Sequence, residues 1–155
     1  DAYLKRKHGK PILVITFDDG YESFFHIAAP LLEKHGLPAT VFLATNYVGT
    51  EKIFWWDFLL CLCKRLTCEE FFSSAFSGFF YPDARLRFAL NDGEESFKKT
   101  LLNSLKKLPT PTVERFCRFL QNRYRHILGK ISSELWGQAR LLNWDQVRSL
   151  ASRGF

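Results

Sequence analysis

Two short apolar runs, Pro11-Ile12-Leu13-Val14-Ile15 and Pro38-Ala39-Thr40-Val41-Phe42-Leu43, constrain this chain more than any other feature. Each reads as a buried strand, the first continuous and β-branched enough to be covered on both faces. Between them, Ile27 to Gly36 is punctuated as a helix, with Pro30 in the first turn and Gly36 just past the end. A strand, a helix and a strand in that order favour parallel pairing through a right-handed crossover. The chain therefore predicts an α/β fold. Its first strand runs into Ile15-Thr16-Phe17-Asp18-Asp19-Gly20-Tyr21, and the C-terminal edge of a strand is where ligands bind in α/β architectures.

The double carboxylate needs a reason. Adjacent like charges oppose each other's ionisation unless something positive lies close. Neighbouring side chains diverge at a strand end, so one Asp can ligate a divalent metal while the other stays free beside it. Such an ion would offset the repulsion, acidify a bound water and polarise a carbonyl oxygen. The free carboxylate could then take the water's proton as a general base, a plan for hydrolysing an amide or an ester. That plan needs further ligands, typically His nitrogens. The plainer reading is that Asp18 and Asp19 cap a turn whose bend Gly20 supplies.

With 155 residues, 46% of them hydrophobic and 25% charged, the chain fits one globular domain carrying an insertion. The net charge of +6 sits mostly in the middle: residues 51–140 hold fifteen Lys and Arg against ten Asp and Glu, whereas residues 1–50 hold five of each. Pairs such as Lys98-Lys99 read as wet helix faces, and no basic arm or nucleic-acid motif accompanies them. No nucleic-acid partner is expected. Cys61, Cys63, Cys68 and Cys117 lack metal-binding spacing and read as small buried hydrophobes. The longest apolar run, Phe54 to Cys63, falls well short of the roughly twenty residues of a membrane span, so no transmembrane segment is expected.

Residues 1–50 read as a first β-α-β part, 51–140 as a helix-rich aromatic insertion, and 141–155 as a return to the α/β pattern. Within the insertion, Leu86, Phe88 and Leu90 alternate with Arg85, Arg87 and Ala89 as in a half-buried strand. Asp92 and Glu95 read as a capping box, and Phe97, Leu101, Leu105 and Leu108 follow at helical spacing. A further helix is predicted from Thr110 to Gly129, with Pro111 at its first position. Its apolar stripe is Val113, Phe116, Cys117, Leu120, Tyr124, Ile127 and Leu128. In the tail, Asn143 and Gln146 form another capping pair, Val147 and Leu150 face inward, and Gly154 closes the helix. Phe155 reads as the start of a third strand. A chain without Met that opens at Asp1 in mid-pattern is expected to be truncated at both ends.

Three blocks, in order, resemble the polysaccharide deacetylases that share the NodB homology domain (carbohydrate esterase family 4). ITFDDGY is similar to the family's first motif, and His35-Gly36-Leu37-Pro38-Ala39-Thr40-Val41-Phe42-Leu43 to its second-strand signature. Leu142 to Phe155, LNWDQVRSLASRGF, resembles the helix that precedes its second motif. Phe54-Trp55-Trp56-Asp57, opening a helical insertion, looks like one branch of the family. The resemblance implies the N-terminal part of a distorted (β/α) barrel, interrupted by a mainly helical insertion. It implies metal-dependent removal of N- or O-acetyl groups from a polysaccharide, with Asp18 as general base and Asp19 as metal ligand. The metal implied is divalent, zinc first, with cobalt, nickel or manganese as alternatives, and the substrates of the family point to the cell envelope.

The family's second motif supplies two histidines as H-x-x-x-H, and nothing here matches it. His8, His26, His35 and His126 all precede the last helix. One ligand of three is therefore expected in this chain, which predicts an inactive fragment of an active parent.

Tyr21, Tyr47 and Trp55 are candidates for stacking on sugar rings, with Trp55 also suited to a place in the insertion core. A haloacid-dehalogenase-type phosphatase wants its two acids separated by one residue, and here they are adjacent. The alternative from another class is a non-catalytic glycan- or partner-binding domain derived from the same fold.

Overall fold

The computed structural model describes residues 13–76, 84–128 and 137–155. Thr16–Phe17 (β1) and Thr40–Val41 (β2) run parallel, with Thr16 opposite Thr40 and Phe17 opposite Val41. Thr40 N–H donates to the Ile15 carbonyl at 3.0 Å and Phe42 N–H to that of Phe17 at 2.8 Å. Parallel pairing requires a crossover rather than a hairpin. Here Phe24–Ala28 winds as a π-helix and Ala29–Lys34 (α1) continues as an α-helix. Pro30 accounts for the switch: it has no N–H for the His26 carbonyl, so the ladder widens ahead of it and the Ala29 N–H reaches Phe24.

The strands are shorter and barer than the apolar runs predict. Pro11 and Ile12 lie outside the described residues. Leu13 is 88% exposed, Val14 68% and Phe42 57%, so the expectation of strands buried on both faces is corrected. Among the described residues the sheet has two strands, and Leu13, Val14 and Phe42 lie outside the paired residues Thr16–Phe17 and Thr40–Val41.

Trp55–Cys63 (α2), Cys68–Phe76 (α3), Ala84–Asn91 (α4), Glu94–Leu105 (α5), Thr110–Arg123 (α6) and Arg125–Leu128 (α7) follow, and Trp144–Ser152 (α8) closes the chain. The described residues divide into two compact units, the chain passing from one to the other after Glu51 and back after Arg140. The first unit packs around Phe24, Ala29, Leu142 and Leu150, with Phe17, Val41, Leu43 and Phe155 against them. The Phe24 ring meets Phe17 and Phe155 edge-on, at centroid distances of 4.6 and 5.4 Å. The Asn143–Gln146 capping box forms as predicted: Gln146 N–H donates to Asn143 Oδ1 at 2.8 Å, and Asn143 N–H to Gln146 Oε1 at 2.9 Å. α8 ends in a Schellman cap, Phe155 N–H to Leu150 and Gly154 N–H to Ala151, which delivers Phe155 back to the core.

The second unit is helical. Leu59, Leu62, Phe71, Leu86, Phe97, Leu101, Leu105, Phe116 and Leu120 are buried at its centre, as the helical spacing of α5 and α6 predicts. Three expectations are corrected. Leu86–Leu90 lies in helix α4, because Leu86, Ala89 and Leu90 share a face at i, i+3 and i+4 while Phe88 is 70% exposed. The cap of α5 is Gly93 at φ +98°, not Asp92, and Glu95 pairs with Lys98 at 3.4 Å instead of closing a box. α6 breaks at Tyr124, whose hydroxyl donates to the Glu70 carbonyl at 3.3 Å; the predicted stop at Gly129 lies outside the described residues. The cysteines are free thiols, with Cys61, Cys63 and Cys117 buried. Burial pushes the Cys63 and Cys117 thiols up to about 12. No helix among the described residues is long and apolar enough to cross a membrane.

Candidate active site

β1 ends at Phe17, whose ring is anchored in the core, and the chain turns at once through Asp18, Asp19 and Gly20. Asp19 has φ +72° and Gly20 φ +78°, two consecutive left-handed residues. Asp tolerates this conformation better than most residues, since its short polar side chain can bond locally. Gly20 has a second reason to be glycine: a Cβ there would lie 2.7 Å from Leu43 Cδ2. Gly20 N–H donates to the Asp18 carbonyl at 2.9 Å and closes the turn.

The turn is held from two sides. Ala44 N–H, just past β2, donates to the Asp19 carbonyl at 3.3 Å. Leu142 N–H donates to the Gly20 carbonyl at 2.9 Å, and Tyr21 forms an antiparallel bridge with Leu141. Gly49 N–H donates in turn to the Leu142 carbonyl at 3.0 Å. Three sequence blocks far apart in the chain thus meet through their backbones at the C-terminal end of β1. Asp18 is exposed there and Asp19 half-buried.

One side-chain tie runs parallel to the backbone ones. Gln146 Nε2 donates to Glu22 Oε1 at 2.8 Å, and His26 Nε2 lies 3.5 Å from the same oxygen. At the other end of α8, Arg153 donates to both carboxylate oxygens of Glu33, at 2.5 and 2.8 Å. Those bonds hold the Glu33 carboxyl below its usual range and raise the Arg153 guanidinium.

Of the other residues predicted for the site, Tyr21 and Tyr47 are half-buried in the unit that holds the Asp pair. Trp55 packs against the helical core of the second unit. His26 lies beside Glu22, His35 caps the end of α1 and His126 sits in α7, all three exposed; His8 lies outside the described residues. Among the described residues, no group of three or more His, Cys, Asp and Glu side chains is placed to hold a metal ion. Asp18 and Asp19 therefore supply at most part of the donor set that a metal centre needs. Sequence reasoning missed two features. Trp144 stands 46% exposed on α8 with its indole against Gly49, and nothing beyond its place at a capped helix start signals that role. Gln146 reaches Glu22 as well as capping its helix; the signal is a Gln where a capping box accepts Glu equally well, leaving one N–H pair to place.

Residues 5–69 match the family model for polysaccharide deacetylase. Among curated proteins, the chain is 25% identical over 150 residues to the poly-beta-1,6-N-acetyl-D-glucosamine N-deacetylase of Staphylococcus epidermidis, covering 97% of this chain and 48% of the relative. It is 39% identical over 44 residues to the Bacillus subtilis protein named "Putative polysaccharide deacetylase YxkH", covering 28% of this chain and 16% of the relative. The chain thus spans half or less of the length of these relatives. No solved structure matches it.

Proposed function

We propose, from the match of residues 5–69 to the family model for polysaccharide deacetylase, that this chain is part of a hydrolase removing acetyl groups from a carbohydrate polymer. The observation that carries the reading is the turn after β1. A non-glycine residue held left-handed is strained backbone, which persists where the surroundings over-determine it and clusters at functional sites. Here the strained residue is a carboxylate with a second carboxylate before it, at the strand edge where α/β folds place their chemistry.

In this reading β1, the helical crossover and β2 open a distorted (β/α) barrel. Asp18, the more exposed acid, is the general base that takes a proton from the attacking water. Asp19 is the carboxylate ligand of a divalent metal, zinc first, which when bound supplies Lewis acidity. That centre needs His ligands that the described residues do not bring to Asp19, so residues 1–155 alone are expected to release no acetate. Tyr21 and Tyr47 are the candidates for contact with the sugar. The name of the staphylococcal relative makes an N-acetylglucosamine polymer the first substrate to try, and such a substrate suits the cell envelope.

The test is acetate release by the full-length protein from poly-β-1,6-N-acetyl-D-glucosamine and from an O-acetylated polysaccharide. Acetate release is expected to stop on chelation and return with zinc. Asp18→Asn is expected to lower kcat by about 10²- to 10⁴-fold, the usual contribution of a positioned general base. Absence of acetate from both substrates, with zinc present, overturns the proposal.

A further inference from the structure

Gln146 uses both ends of one amide. Its Oε1 accepts from the Asn143 N–H at 2.9 Å and completes the capping box of α8. Its Nε2 donates to Glu22 Oε1 at 2.8 Å, across 124 positions of sequence. Glu22 is the second residue after Gly20 and lies in the first helical turn beyond the Asp18-Asp19-Gly20 bend. It is only 23% exposed at its side chain, so the bond is shielded from water more than a surface contact would be. The bend is therefore joined to the segment that leads into α8 by the backbone bonds at Gly20 and Tyr21, and the helical turn beyond it is joined to α8 itself by this amide–carboxylate bond.

From this we infer that Gln146 is a positioning residue for the Asp18-Asp19 turn: by anchoring Glu22 to the capped start of α8, it fixes where the helix after the turn begins. The inference rests on the deacetylase reading for its catalytic consequence, though not for the tether itself. Asp19, a non-glycine residue, is held left-handed, a conformation that persists where the surrounding structure over-determines it. Ala44 and Leu142 supply the support at the turn's own carbonyls. The Glu22 contact supplies it downstream, where a helix free to shift would carry the turn with it. His26 Nε2, 3.5 Å from the same Glu22 oxygen, is a second titratable group that faces this carboxylate among the described residues.

The test is a swap of donor and acceptor. Gln146→Glu keeps an oxygen for the Asn143 N–H, so the capping box survives, but it sets a carboxylate against Glu22. The double variant Glu22→Gln/Gln146→Glu restores a donor–acceptor pair with its polarity reversed. In the full-length protein, Gln146→Glu is expected to speed amide hydrogen exchange across residues 20–25 and the double variant to return it to the wild-type rate. Against an acetylated polysaccharide, Gln146→Glu is expected to lower kcat by about tenfold to a hundredfold with KM unchanged, as small misplacements of reacting groups do. The double variant is expected to recover most of that loss.

Unchanged exchange in Gln146→Glu overturns the tether. Faster exchange with unchanged kcat overturns the positioning role. Failure of the double variant to rescue either readout overturns the pairing of Glu22 with Gln146 as its cause. Absence of acetate release from the wild-type protein overturns the deacetylase reading instead, and the exchange rates still decide the tether.

Discussion

At Asp19 a carboxylate and a left-handed backbone occupy the same residue, and substitution can separate the two requirements. Asn lacks the charge but visits this conformation as readily as any non-glycine residue. Ala lacks the charge and tolerates the conformation poorly. Asp19→Asn should therefore unfold in urea at the wild-type midpoint, while Asp19→Ala should lose about 1 kcal/mol, the lower range of the left-handed penalty. In the full-length protein, and on the proposed deacetylase reading, both should abolish acetate release. Equal stability of the two variants would mean that the turn is not strained in solution. The buried thiols offer a second residue-scale test. Burial raises Cys63 and Cys117 from about 9 to about 12, so the folded state holds protons that the unfolded chain gives up as pH climbs past 9. The stability this reflects is whole below pH 9 and is lost progressively between pH 9 and 12. The urea midpoint should fall over that window and fall less in Cys63→Ala/Cys117→Ala; an equal fall in both would assign the alkaline loss to other groups.

At the scale of elements, most of the legible signals were local, although the Asp92–Glu95 pair, equally local, gave way to a Gly93 cap and a Glu95–Lys98 ion pair. The capping box of α8, the closing glycines of α1 and α8 and the apolar stripes of α5 and α6 involve residues within one or two turns of each other, and all could be read directly. The Asp18-Asp19 turn was legible for the same reason. What could not be read was the Gln146–Glu22 bond, which spans the chain, and the exposure of Leu13, Val14 and Phe42, which lie outside the paired residues of the sheet. Leu86 to Leu90 failed differently: five residues fit period two through Leu86, Phe88 and Leu90, and fit a helix through Leu86, Ala89 and Leu90. Substitution distinguishes these arrangements. On a strand Leu86 and Phe88 would share a face and both would matter; on α4 only Leu86 is buried. Leu86→Ala should cost about 2–5 kcal/mol as a core truncation, and Phe88→Ser should stay within about 0.5 kcal/mol as a surface change. Comparable losses at the two positions would restore the strand.

At the scale of the whole molecule, the two units differ in what they need in order to fold. The helical unit is one continuous stretch, Lys52–Arg140, and its core is drawn from residues inside that stretch. The other unit is discontinuous. Two of its four most buried residues, Leu142 and Leu150, come from the tail, while Phe24 and Ala29 come from the head. Its backbone ties at Gly20 and Tyr21 join the same two segments, and bringing them together requires closing a long intervening loop, which costs entropy. The continuous unit has its core, its helices and its short connections within itself, as an independently folding domain does. Residues 52–140 expressed alone are therefore expected to show helical circular dichroism and a single cooperative transition in urea. Residues 1–51 alone are expected to show neither, since half of their buried centre would be missing. A non-cooperative transition for residues 52–140 would mean that this helical core depends on contacts from the rest of the chain.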